Sequence, residues 1–168
     1  MKNGFTKEDI KNSVEYRWRL SSIKWLLVLW AVIGVVMLVV SLITYLYDME
    51  NIDLSIQIWL IVVGIYSVIL LPFVLFYGYK MLYLLKHYGE FASYEVTLDN
   101  VSTSYAYKGA VYYKVTINEG GRTIKVDTNP YFSSGVFAPF ALEDYNNKRV
   151  VGLYDSEKDK FYIIKKVN

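Results

Sequence analysis

Two long uncharged runs constrain this chain more than any other feature: WLLVLWAVIGVVMLVVSLITYLY (residues 25–47) and LSIQIWLIVVGIYSVILLPFVLFYGY (54–79). A bilayer core about 30 Å thick is crossed by a helix of about 20 apolar residues, and each run is longer. A cleavable signal sequence would have a shorter apolar core and a small-residue cleavage site, and neither is present. The sequence therefore predicts two transmembrane helices, 25–47 and 54–79. The connection DMENID (48–53) is too short for anything but an antiparallel pair of neighbouring spans.

The flanking charges predict the orientation. Residues 1–24 carry Lys2, Lys7, Lys11, Arg17, Arg19 and Lys24, and Lys80 and Lys86 follow the second run, whereas 48–53 holds three acids and no base. Basic residues beside spanning helices stay on the cytoplasmic side. Both termini are thus expected in the cytoplasm, with a short acidic loop (48–53) outside.

Within residues 1–24 the stretch FTKEDI (5–10) reads as a helix start. Thr6 caps it, Asp9 closes a capping box, and Phe5 and Ile10 form a hydrophobic staple. An amphipathic juxtamembrane helix is expected next, with Arg17, Trp18, Arg19, Lys24 and Trp25 in the headgroup zone. Beyond the second run a cytoplasmic extension (80–90) ends near Gly89, a candidate C-terminal cap.

After residue 91 the periodicity changes. YEVTL (94–98), VSTSYAY (101–107), VYYKVTI (111–117), RTIKVD (122–127), KRVVGLYD (148–155) and KFYIIKKV (160–167) are β-branched and aromatic with partial alternation, and YKGA, NEGG and SEKD punctuate them. That is a strand pattern. Five or six antiparallel strands are expected over 91–168, closed as a small β-barrel to protect their edges. The fold class is a two-helix transmembrane hairpin followed by this barrel.

Small residues permit close helix approach where no hydrophobic force drives association. Ala31, Gly34 and Ser41 on the first span, with Gly64 and Ser67 on the second, are the candidate helix-packing positions. Packing within the hairpin is favoured over self-association through the same faces. Pro72 is expected to kink the second span. No Asp, Glu, Lys, Arg or His lies inside either run, so the usual mark of a proton or ion pathway is missing.

Catalytic and metal chemistry find little support. Cysteine is absent and His87 is the single histidine, which leaves a multi-histidine site impossible. Glu143 and Asp144 are adjacent and point apart. Asp155, Glu157 and Asp159 alternate like a calcium loop, yet the positions that need glycine and glutamate hold Lys160 and Lys166; a solvated hairpin turn is the better reading. There is no phosphate loop, dinucleotide fingerprint or nucleophile elbow. Net charge is +2, and 91–168 carries ten bases and nine acids, so nucleic-acid binding is unsupported. No enzyme activity, cofactor or metal is expected.

The connection TNPYFSSGVFAPFALEDYNN (128–147) is longer than a barrel requires, and long loops are often functional. Its aromatic residues Tyr131, Phe132, Phe137, Phe140 and Tyr145 are a candidate partner-binding loop. The competing expectation is a short helix over PFALEDY that plugs one barrel end.

Residues 94–164, through VYYKVTINEGGRTIKVDTNP and KRVVGLYDSEKDKFYII, resemble a family of uncharacterised bacterial domains found behind paired transmembrane helices. The resemblance implies a bacterial plasma (inner) membrane location and a small β-domain, and no activity. The expected function is a non-enzymatic, membrane-anchored interaction or regulatory module, of immunity type in one version, with lipid and a second protein as partners. The alternative is a homo-oligomeric membrane component or pore built through the hairpin.

Overall fold

The computed structural model describes residues 4–47, 52–98, 100–103, 110–132, 145 and 147–167. These form helices α1 (Lys7–Lys11), α2 (Val14–Tyr47) and α3 (Ile52–His87), then strands β1 (Ala92–Thr97), β2 (Asn100–Thr103), β3 (Ala110–Glu119), β4 (Arg122–Thr128), β5 (Tyr131–Phe132), β6 (Arg149–Asp155) and β7 (Lys160–Lys166). Helices α2 and α3 are long and apolar enough to cross a membrane. The chain divides into two compact units, one of residues 22–79 and one combining 1–21 with 80–168.

In the first unit α2 and α3 meet along one stripe on each helix. Ile33, Gly34, Met37, Ser41 and Thr44 are half-buried on α2, as are Ser55, Trp59, Val63, Ser67, Leu70 and Val74 on α3, while most of the remaining surface of both helices is exposed and apolar. Three- and four-residue spacing is the geometry of one helix face. Pro72 lies inside α3.

In the second unit the N-terminal residues form two helical pieces, α1 and the start of α2, which belong to the same compact unit as the sheet. Thr6 caps α1 through the capping box with Asp9: the Asp9 N–H donates to Thr6 Oγ1 at 3.2 Å and the Thr6 N–H to Asp9 Oδ2 at 2.8 Å. The chain then breaks at Asn12–Ser13, where Ser13 Oγ accepts the Tyr16 N–H at 3.2 Å and restarts the helix as α2. The break turns Ile10, Val14 and Trp18 inward together, and all three are buried. Ile10 packs with Leu84 and Phe91 against Leu153, Tyr162 and Ile164 of the sheet, and Phe5 lies beside them. Trp18 and Arg19 are therefore interior residues of this unit.

The sheet is curled and mixed. Its ladder order is β1-β6-β7-β4-β3-β2, with β5 paired to β3. Five strands have six or more residues, and β2 and β5 are short. The expected all-antiparallel arrangement is corrected at one place: β4 and β7 run parallel, with Asp127 opposite Lys160 and Thr128 opposite Phe161. A parallel pair needs a long crossover, and here β5, the 133–148 stretch and β6 all intervene. The expected closure is also partial. Strands β1 and β3 approach one another, yet among the described residues no ladder joins them, so the sheet is a half-barrel.

Local chemistry explains the hairpins. Gly120 and Gly121, at φ of 56° and 83°, make the two-residue turn between β3 and β4, and such primed turns match strand twist. Along β3, buried Tyr113, Val115 and Ile117 alternate with exposed Lys114, Thr116 and Asn118. Strands β6 and β7 are instead buried on both faces; Tyr162 and Ile164 face the helices, so Phe161 and Ile163 face the other side. Gly152 sits at a bulge between β6 and β7, where a Cβ would lie 2.3 Å from the Phe161 ring and 2.6 Å from the Tyr162 carbonyl. Gly89 lacks the positive φ of a left-handed helix cap; α3 stops at His87 and the chain turns through a Glu90 N–H to His87 carbonyl bond of 2.9 Å.

Candidate functional site

The chemistry-bearing residues of the second unit converge where the start of α2, the end of α3 and the β6–β7 hairpin meet. Glu15 and Arg19 are one turn apart on α2 and form an ion pair, 0% and 3% exposed respectively. Asn129, just after β4, donates its amide to Glu15 Oε1 at 3.0 Å. On α3, Lys80, Tyr83 and Leu84 share a face by their spacing. These residues, with Lys158, Lys160 and Tyr162, line a cavity of about 210 Å³.

Asp155 organises one side of this site. It is 1% exposed, so the turn that opens at Asp155 is not simply a solvated one. Its Oδ1 accepts the backbone N–H groups of Glu157 and Lys158 at 3.1 and 3.2 Å, which shapes the turn. Its Oδ2 accepts the Tyr83 hydroxyl at 3.1 Å and the Tyr162 hydroxyl at 3.3 Å. The carboxylate thus ties α3 to β7. The Lys158 ammonium lies over the Tyr83 ring, a cation–π arrangement, and His87 stacks on the same ring at 4.7 Å between centroids.

The electrostatics are lopsided. Four cations, Arg19, Lys80, Lys158 and Lys160, stand in the wall against one carboxylate, Glu15. Burial lowers the Lys80 pKa, and the neighbouring Arg19, Lys158 and Lys160 charges push the same way against the single opposing effect of Glu15. Lys80 comes directly after the apolar stretch 54–79, outside it. Burial, then the Asp155 charge, raises the Tyr162 phenol well above the ordinary tyrosine range. The Arg19 Nε–H is buried with no hydrogen-bond partner among the described residues.

The expected site residues are distributed differently. Tyr131 and Phe132 form β5, pairing Val111 and Ala110 on the edge of β3, so part of the expected loop is strand. Phe137 and Phe140, like the proposed helix over PFALEDY except Tyr145, lie outside the described residues. Tyr145 stands in a single turn, with the Lys166 ammonium 4.5 Å from its ring centre.

Of the helix positions, Gly34, Ser41 and Ser67 face the partner helix. Trp30 Nε1 donates to Ser67 Oγ at 2.9 Å, Ser55 Oγ to Ser41 Oγ at 3.2 Å, and Trp59 Nε1 to the Gly34 carbonyl at 3.4 Å. Ala31 and Gly64 are exposed. A Cβ at Gly34 or Gly64 meets nothing within 4 Å, so neither glycine is required for close approach.

The sequence pattern gave no site role to Glu15, Arg19, Lys80, Asn129, Lys158, Lys160 or Tyr162. The one available signal was the i,i+4 opposite-charge pair at Glu15 and Arg19. Fold and site together define a protein with two apolar helices long enough to span a membrane and a curled mixed sheet, with a cation-lined cavity between the sheet and the helix ends packed on it. No protein-family model matches the chain, and no curated protein or solved structure does either.

Proposed function

We propose that this protein is a non-enzymatic regulatory module anchored in a membrane. In this reading α2 and α3 span a bacterial plasma membrane with both termini cytoplasmic, and the β-unit recognises a second protein through the 128–147 segment. The observation that carries the reading is the way the helix ends are built into the β-unit. Val14 and Trp18 of α2, and Met81 and Leu84 of α3, are buried. Polar bonds join the same helix ends to the sheet region, Asn129 to Glu15 and Tyr83 to Asp155. Moving such a sheet against these helix ends breaks buried bonds, so an event on the β-unit would be felt at the helix ends within that unit.

The homo-oligomer reading has less to rest on. The groups that would join neighbouring copies, Ser41, Ser67 and the Gly34 carbonyl, make their hydrogen bonds within the hairpin.

The test is site-specific photo-crosslinking in native membranes, with the reactive group placed at Phe137 or Phe140 and, as a control, at exposed Lys125. A stoichiometric crosslink to one other protein from the loop positions alone supports the module. An immunity-type role further requires that this partner be a membrane-acting toxin whose damage the protein suppresses on co-expression. Crosslinks between copies only, weakened by Gly34→Leu or Gly64→Leu, would transfer the reading to the self-assembled component. No loop-specific crosslink at all would refute the partner surface.

A further inference from the structure

The cavity between α2, α3 and the β6–β7 hairpin carries more positive charge than the acids around it balance. Its wall holds Arg19, Lys80, Lys158 and Lys160, with Glu15 as the one acid. Counting Asp155, which accepts from two tyrosines beside the cavity, an excess of two positive charges remains. Asp127 pairs with Lys160 in the β4–β7 ladder but is not part of the wall. Arg19 is buried and Lys80 and Lys160 are half-buried, so water only partly screens the repulsion among these like charges. A fold keeps such a cluster at a cost that an anion in the cavity offsets.

Two further features describe the anion. Arg19 is 3% exposed and its Nε–H is unmatched among the described residues, a donor that a buried oxygen would satisfy. A guanidinium fork with ammonium groups beside it is the usual protein chemistry for a phosphoryl group. Such a group carries about −1.5 to −2 charges at neutral pH, which matches the excess. The cavity volume is about 210 Å³, whereas a single water needs only about 10–15 Å³ of such space. A polyatomic ligand fits.

We propose that this cavity binds a phosphate monoester, with the phosphoryl group among Arg19, Lys80, Lys158 and Lys160. The same chemistry has two sources, a soluble metabolite or the headgroup of a phosphatidic-acid-type lipid. The site lies wholly in the unit of residues 1–21 and 80–168 and shares only Asn129 with the 128–147 segment, none of whose aromatic residues line it, so either reading can fail alone.

The experiment uses the full chain in phosphatidylcholine nanodiscs, titrated with sodium phosphate and with glycerol 3-phosphate against sodium chloride at equal ionic strength. The thermal midpoint is the readout. A saturable rise with the phosphates, absent with chloride, is expected. Lys80→Gln and Lys160→Gln should each weaken the apparent affinity about tenfold or more, the effect of one charge-assisted hydrogen bond. Lys125→Gln, on the exposed part of β4, should leave it unchanged. If the rise appears only when phosphatidic acid is placed in the nanodisc, and the same lysine changes remove it, the ligand is the lipid headgroup. Lys158→Gln, at an exposed turn position, serves should Lys80→Gln fail to fold. No saturable shift with phosphate, glycerol 3-phosphate or phosphatidic acid overturns the proposal, as does a shift that survives all three lysine changes.

Discussion

The Glu15–Arg19 pair allows a strong test of how the second unit is held together. Arg19→Met replaces the guanidinium with an apolar side chain and leaves the Glu15 carboxylate, 0% exposed, beside its Asn129 donor. Breaking a buried pair from one side costs about 3–5 kcal/mol, since the surviving charge stays desolvated. Glu15→Leu should cost at least as much, because it strands Arg19 among Lys80, Lys158 and Lys160. The double variant Glu15→Leu/Arg19→Met removes both charges and leaves the Asn129 amide without its acceptor, a penalty of about 1–3 kcal/mol. The double variant should therefore be more stable than either single one.

Total stability of a domain is about 5–15 kcal/mol, so each single change removes a large share of it. The assay is guanidinium unfolding of the full chain in detergent and phosphate-free buffer, followed by near-ultraviolet circular dichroism. Single changes that add to give the double, within about 0.5 kcal/mol, would refute the buried coupling.

Three further outcomes are expected. Gly152→Ala should destabilise the β6–β7 hairpin by about 1–3 kcal/mol or more, because the new methyl meets the Phe161 ring at 2.3 Å and the Tyr162 carbonyl at 2.6 Å; a thermal midpoint equal to wild type would contradict this packing. The raised Tyr162 pKa also predicts a pH effect. Below about pH 10 the phenol is protonated in both states; above that the unfolded chain releases a proton that the folded chain keeps, so stability falls by up to about 1.4 kcal/mol per pH unit. Tyr162→Phe should flatten that alkaline limb, and an unchanged limb would count against the buried phenol. In the hairpin, Ser67→Ala should cost about 0.6 kcal/mol, the average worth of such a bond between membrane helices, whereas Gly64→Ala should be neutral or mildly stabilising. Unfolding in mixed detergent micelles measures both, and a larger loss at Gly64 than at Ser67 would reverse the assignment.

Much of the architecture was legible because it rests on local pattern. A run such as 54–79 is uncharged and mostly apolar, so its length nominates a spanning helix. The alternation of Tyr113, Val115 and Ile117 marks a half-buried strand, and Gly120–Gly121 marks its turn. The capping box of Thr6 and Asp9 was likewise readable, since its partners are three residues apart. Residue type taken for place was misleading. Arg17, Trp18 and Arg19 have the composition of a headgroup belt, yet Trp18 and Arg19 are buried within the unit that holds the sheet. Asp155 sits among acids that look like a solvated turn, yet two tyrosine hydroxyls bury it.

The sequence by itself determined the two apolar helices, their close connection and the strand-rich character of residues 91–168, because each depends on interactions within a few residues. Only the tertiary structure decided that β4 and β7 run parallel, that residues 1–21 join residues 80–168, and that a cationic cavity exists. Asn129 reaches Glu15 across 114 residues, and Tyr83 reaches Asp155 across 72. No periodicity encodes such a meeting, since it depends on which faces the folded chain brings together and which charges it then seals from water.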